Sequence, residues 1–139
     1  MTPPPIEILE HTADIGFHAW GATPGELFAN AAQAMMAIAT DAEPAPDAEI
    51  DVEVSGPDYE SLMVNWLSEI LYLFDAGIFA PAVFRVLEIS GQKLRARLSG
   101  ERRDPPRHPW KLIVKAVTYH QLAVAERDGR WQATVFLDI

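Results

Sequence analysis

Cysteine is absent from all 139 residues. Disulfides, thiolate metal sites and cysteine nucleophiles are therefore excluded, a composition that suits a reducing cytosol. Apolar runs are short, and none approaches the roughly 20 residues that a membrane span requires. The opening Met1-Thr-Pro-Pro-Pro-Ile6 carries neither a basic leader nor an apolar segment of the secretory kind. A cytoplasmic protein without membrane contact is the expectation. Positive charge is scarce as well: 11 Lys and Arg face 20 Asp and Glu, for a formal net charge of -9. Such a balance disfavours autonomous binding to nucleic acid, where neutralised phosphates supply most non-specific affinity. Also missing are a Gly-rich phosphate loop, a His-Glu-x-x-His helix and a Gly-x-Ser-x-Gly elbow, so no ready-made enzyme signature is present.

With 49% hydrophobic residues, the chain has the length and composition of a single domain over 1–139. Its charges are unevenly spread. Residues 41–60 hold eight acids and no base, whereas 85–111 hold eight of the eleven Lys and Arg. That asymmetry fits either docking onto a larger partner or a solvated acidic face.

Local patterns then divide the chain. Ile6 to Leu9 reads as a short strand. Thr23-Pro-Gly-Glu26 is a capping box with proline at the first helical position, opening a helix to about Ala39 whose apolar stripe is Leu27, Ala31, Ala34, Met35 and Ile38. Ile50, Val52 and Val54 alternate with acids as a half-exposed strand. Asp58 is the expected N-cap of a second helix reaching about Phe74, apolar nearly all round apart from a narrow stripe of Ser61, Asn65, Ser68 and Tyr72. Gly77 is its C-cap glycine. The C-terminal part of the chain reads as β: Ala82 to Ile89, Leu94 to Leu98, Trp110 to Tyr119 and Gln121 to Ala125, with Asp128-Gly129 as a hairpin turn into the last strand. Arg102 to Pro109, with three prolines, is a long loop that either carries function or merely connects. Few helices and many short strands, not alternating one for one, indicate an α+β fold: a mostly antiparallel or mixed β-sheet packed with two main helices.

Two stretches carry the candidate chemistry. In His11-Thr-Ala-Asp-Ile-Gly-Phe-His-Ala-Trp-Gly21, Ile15, Phe17 and Ala19 alternate with Asp14, Gly16, His18 and Trp20, which places Asp14 at or near the start of a strand, and Thr134 to Ile139 alternates likewise and ends beside Asp138. If these strand ends meet, the carboxylates of Asp14 and Asp138 converge with the α-carboxylate of Ile139. Such a cluster repels itself without a cation, and an all-carboxylate set favours a hard ion, Ca²⁺, Mg²⁺ or Mn²⁺. The plainer alternative is a turn aspartate in water and an ordinary C-terminus. Glu69, on the largely apolar helix, is either paired with Arg or Lys or serves a metal site. Lys115 interrupts an apolar strand, as an edge-strand gatekeeper or as a partner for carboxylates or a phosphate. His11 with Asp14, and later His120, would make a mixed site, although a lone strand histidine is more often a hydrogen-bonded structural residue.

His11-Thr-Ala-Asp14, His18-Ala-Trp-Gly21, the helix ending in Thr40-Asp41, the Trp66-Leu-Ser-Glu69 to Asp75 helix, Val114-Lys115 to His120 and the terminal Leu137-Asp138-Ile139 together resemble the archease family. The likeness covers nearly the whole chain in order. It implies a small cytosolic, non-enzymatic protein cofactor of an RtcB-type RNA ligase, which acts in tRNA splicing or RNA repair, promoting the ligase's guanylylation and multiple turnover. It implies metal ligation by Asp14, Asp138 and the terminal carboxylate of Ile139, with calcium the expected ion and magnesium or manganese the alternatives. Asp41, Glu69 and Lys115 match further motif positions. Two rival functions stand beside this one: a metal-dependent hydrolase with His11 or His120 as base, and a general chaperone or adaptor of RNA-modifying proteins.

Overall fold

The structure, a computed structural model, describes residues 5–10 and 14–139. Its elements in chain order are β1 (Ile6–Glu10), β2 (Asp14–Gly21), α1 (Pro24–Ala39), β3 (Ala48–Ser55), α2 (Tyr59–Asp75), β4 (Ala80–Ile89), β5 (Lys93–Glu101), β6 (Ala116–Val117), β7 (Ala123–Arg127) and β8 (Arg130–Asp138). Two antiparallel sheets result. One runs β1-β2-β8-β6, with β7 also paired to β8, and the other runs β3-β5-β4. The α+β reading is borne out, with the strands divided between two sheets.

Both helices begin where their caps require. The Thr23 hydroxyl accepts from the Glu26 amide at 3.1 Å, and the Asp58 carboxylate accepts from the Ser61 amide at 2.8 Å, satisfying amides that have no partner within the helix. Gly77, at φ +76°, follows the C-cap of α2. Asp128 and Gly129 both take positive φ, 55° and 73°, the conformation whose twist matches a two-residue hairpin, and they join β7 to β8 as expected.

Each helix touches both sheets: α1 lies against β2 and β8 on one side and β4 on the other, and α2 lies against β6 and β7 and against β3, β4 and β5. The arrangement is sheet, helices, sheet. This explains why α2 is apolar nearly all round, with Trp66, Leu67, Ile70 and Phe74 buried. Trp66 donates its indole N–H to the Phe28 carbonyl at 2.8 Å, fixing one helix against the other.

The stretch from Trp110 corrects the sequence reading. Only Ala116–Val117 forms a strand there, against Asp138 and Leu137. The segment leaves the ladder at its start because its main chain is used elsewhere: the amides of Lys111 and Leu112 donate to the Ala39 carbonyl at the end of α1, at 2.7 and 3.3 Å, and contact with β8 begins at Lys115. Trp110 packs edge-on against Phe74 near the end of α2, ring centroids 4.9 Å apart. The segment thus crosses the C-terminal ends of both helices before joining β8.

Candidate carboxylate site at the β2 and β8 ends

The site follows from register. Asp14 stands directly opposite Asp138, Ile15 opposite Leu137, Gly16 opposite Phe136 and His18 opposite Thr134. Ile15, Phe17, Val135 and Leu137 are buried in the core, so by the alternation of a strand Asp14 and Asp138 project from the outer face, away from the helices. Two contacts anchor that face. The ring of Phe136 covers Gly16 so closely that a Cβ there would lie 2.6 Å from it. His18 Nδ1 and the Thr134 hydroxyl are hydrogen-bonded at 2.8 Å. Directly opposed residues have Cβ atoms about 4.5–5.5 Å apart, and like charges so placed repel.

Asp14 is half-buried and Asp138 exposed. Ile139 packs its side chain against the core. Among the described residues no group of three or more His, Cys, Asp or Glu side chains could hold a metal, so the side chains available here are limited to this pair of carboxylates. The donor chemistry fits a hard cation, and an ion held by so few protein groups keeps positions for water or for groups from another molecule.

The remaining candidates separate from this pair. Lys115 donates its amide to the Asp138 carbonyl at 2.7 Å. It is exposed, and it lines a shallow groove of about 290 Å³ with Ser68, Tyr72 and Asp75 at the end of α2. It lies immediately before β6, at the end of the first sheet's strand order, and so flanks a strand rather than interrupting one. Glu69 is half-buried and makes no ion pair among the described residues, which removes the expected Arg or Lys partner. Asp41 is exposed and pairs with Lys111 at 2.8 Å. His11 falls outside the described residues. His120 stacks edge-on against Phe136, centroids 5.6 Å apart, and His18 is the hydrogen-bonded strand histidine of the plainer reading.

The charge asymmetry also has an internal use. On the outer face of the second sheet, Arg97 bonds Asp51 at 2.8 Å, Lys93 reaches Glu53 at 3.0 Å and Arg95 reaches Glu88 at 3.0 Å. The bond from Arg97 holds the Asp51 carboxyl below its ordinary value, and that from Arg95 does the same for Glu88. Much of the acidic run in β3 is thus balanced by the basic run in β5.

Sequence reasoning missed a cluster in the Arg102 to Pro109 loop. His108, 2% exposed, accepts the Asp104 amide at Nδ1, 2.9 Å away, so its Nε2–H is the donor to Glu101 at 2.6 Å. Arg107 reaches the same Glu101 oxygen at 2.7 Å, and the other oxygen accepts the Ala45 amide at 3.2 Å. Burial pushes the Glu101 carboxyl up, but the bonds from His108 and Ala45 and the charge of Arg107 outweigh it and leave the group below its ordinary value. Buried Arg103 donates to the Phe74 and His108 carbonyls, 2.8 and 3.0 Å away, with its guanidinium 4.0 Å above the Phe74 ring. The sequence shows three arginines and a histidine among prolines there, but nothing that joins them to Glu101 or Ala45.

A small sheet-helix-sheet protein with two opposed carboxylates at a strand end belongs, by these features, among compact acidic α+β proteins. Comparison with known proteins is specific. The Archease protein family model matches residues 6–139. Protein archease of Methanosarcina mazei is 44% identical over 138 residues, covering 96% of this chain and 94% of that protein. Protein archease of Methanopyrus kandleri is 39% identical, covering 97% and 99%. The solution structure of Methanobacterium thermoautotrophicum protein 1598 superposes with a TM-score of 0.81 at 35% identity, covering 97% of this chain and 99% of that one. A crystal structure from Thermotoga maritima, described as an archease and possible chaperone, superposes at 0.66 with 20% identity, over 100% and 98% of the chains, a likeness of fold. The chain belongs to the archease family. No helix among the described residues is long and apolar enough to cross a membrane.

Proposed function

We propose that this archease-family chain is a protein cofactor of an RtcB-type RNA ligase in the cytoplasm, promoting the ligase's guanylylation and multiple turnover in tRNA splicing or RNA repair. The observation that carries the reading is the register that sets Asp14 against Asp138. These two carboxylates, with the α-carboxylate of Ile139, would hold a divalent cation, calcium first and magnesium or manganese as alternatives. When bound, the ion would supply positive charge for carboxylate and phosphate oxygens at a shared surface.

The chain's own part is to present oxygen donors on a rigid outer face while leaving coordination positions open. Phe136 over Gly16 fixes the strand ends in register, and Lys115 offers a cation beside the main chain of Asp138. Asp41, tied to Lys111, and Glu69 would act apart from the pair. The acidic balance leaves recognition of RNA to the ligase.

The test is ligase guanylylation under multiple turnover, with and without the purified chain. Asp14→Ala or Asp138→Ala should abolish the stimulation while circular dichroism shows the fold intact; full stimulation by both variants would refute the reading. The possible-chaperone description of the Thermotoga protein supports an adaptor reading second. That reading predicts capture of several unrelated RNA-modifying proteins, where the cofactor reading predicts the ligase alone.

A further inference from the structure

The Arg102 to Pro109 loop carries chemistry that the carboxylate site does not use. Arg102, Arg103 and Arg107, with Asp104 and Pro105, line one open hollow of about 420 Å³. Three arginines on one loop, in a protein of net charge -9, work against the overall field. They are also not equivalent. Arg103 is buried, and its donors are committed to the Phe74 and His108 carbonyls, so it is a strut. Arg102 is exposed and makes no ion pair or side-chain hydrogen bond among the described residues. Arg107 is 63% exposed, and among the described residues its guanidinium pairs with Glu101 alone.

That last pair is exchangeable. If Arg107 turns into the hollow, Glu101 still has the His108 Nε2–H and the Ala45 amide, so no buried carboxylate is left without partners. A surface ion pair of this kind contributes little to stability. The loop itself stays in place, because His108 ties it to Glu101 at the end of β5 and Arg103 ties it to the end of α2. Two guanidinium groups are thus available on a fixed base, and their planar forks match the oxygens of a phosphate.

We propose that this hollow is a binding site for a phosphate dianion, taken up as free phosphate or as a terminal phosphate monoester, between Arg102 and Arg107. Two arginines balance two negative charges, whereas a phosphodiester offers one. A run of diesters along a nucleic acid would also meet the repulsion of the acidic surface. The site is independent of the ligase reading, since it is measured on the protein alone.

The experiment tracks the arginine Nε–H resonances of ¹⁵N-labelled protein during separate titrations with inorganic phosphate, methyl phosphate and dimethyl phosphate at pH 7.5. Saturable shifts at Arg102 and Arg107 with phosphate or methyl phosphate are expected. Tighter binding of methyl phosphate assigns the site to phosphorylated ends, and tighter binding of inorganic phosphate assigns it to the free ion. The double variant R102Q/R107Q should weaken binding at least tenfold, and Arg85→Gln, in β4 and outside the lining of the hollow, should leave it unchanged. Absence of saturable shifts, equal binding of dimethyl phosphate, or unaltered binding by the folded double variant would overturn the proposal.

Discussion

Glu101 is the residue on which several loops depend. Its side chain is 13% exposed, and it gathers His108, Arg107 and the Ala45 amide. Its folded carboxyl lies below the ordinary 4.5, so the stability it contributes is in place above pH 4.5 and is lost as the pH falls through the lower folded value. Asp51 and Glu88 act in the same direction at the surface, where solvent weakens their share. Glu101→Gln should therefore be less stable than the parent at pH 7 and should lose stability less steeply below pH 4.5, as read from denaturant midpoints across pH. An equally steep loss would show that the carboxylate does not hold the loop. None of this was legible in the sequence, where Glu101 is one acid among twenty and its partners lie up to 56 residues away.

At the scale of elements, the sequence was most informative where one local rule decided the outcome. The cap of α1 at Thr23, the cap of α2 at Asp58 and the Asp128-Gly129 turn each depend on residues within a few positions, and each stands where expected. It was least informative from Trp110 to Lys115, where apolar residues resemble a strand but the amides are captured by the end of α1. That competition is tertiary, and no periodicity reports it. The same division applies to the site: alternation gave the faces of β2 and β8, while the opposition of Asp14 and Asp138 depends on pairing across more than a hundred residues. Two substitutions probe the elements. Trp66→Ala should cost about 3–5 kcal/mol in urea unfolding, because a fully buried indole between two sheets leaves a cavity; a loss below about 1 kcal/mol would contradict the layered packing. Gly16→Ala should cost about 1–3 kcal/mol by forcing the Phe136 ring from its seat. A neutral result there would mean that the outer face is looser than described.

For the whole molecule, the layout separates support from exposure. Helices buried between two sheets leave two outer faces, one stitched by cross-strand ion pairs and the other bearing the aspartate pair. On the proposed reading the pair repels itself, and a cation bound only by the folded state would add stability with its free concentration. Thermal melts in chelator should accordingly rank Asp14→Asn at or above the parent, and millimolar calcium should raise the parent more than the variant.

Calorimetric titration of calcium into the parent protein and into the variant carrying both Asp14→Asn and Asp138→Asn tests the central claim most directly. Saturable binding of a single ion by the parent, and its loss in the double variant, are expected. Equal binding by both proteins, or none by the parent with calcium, magnesium or manganese, would contradict that claim.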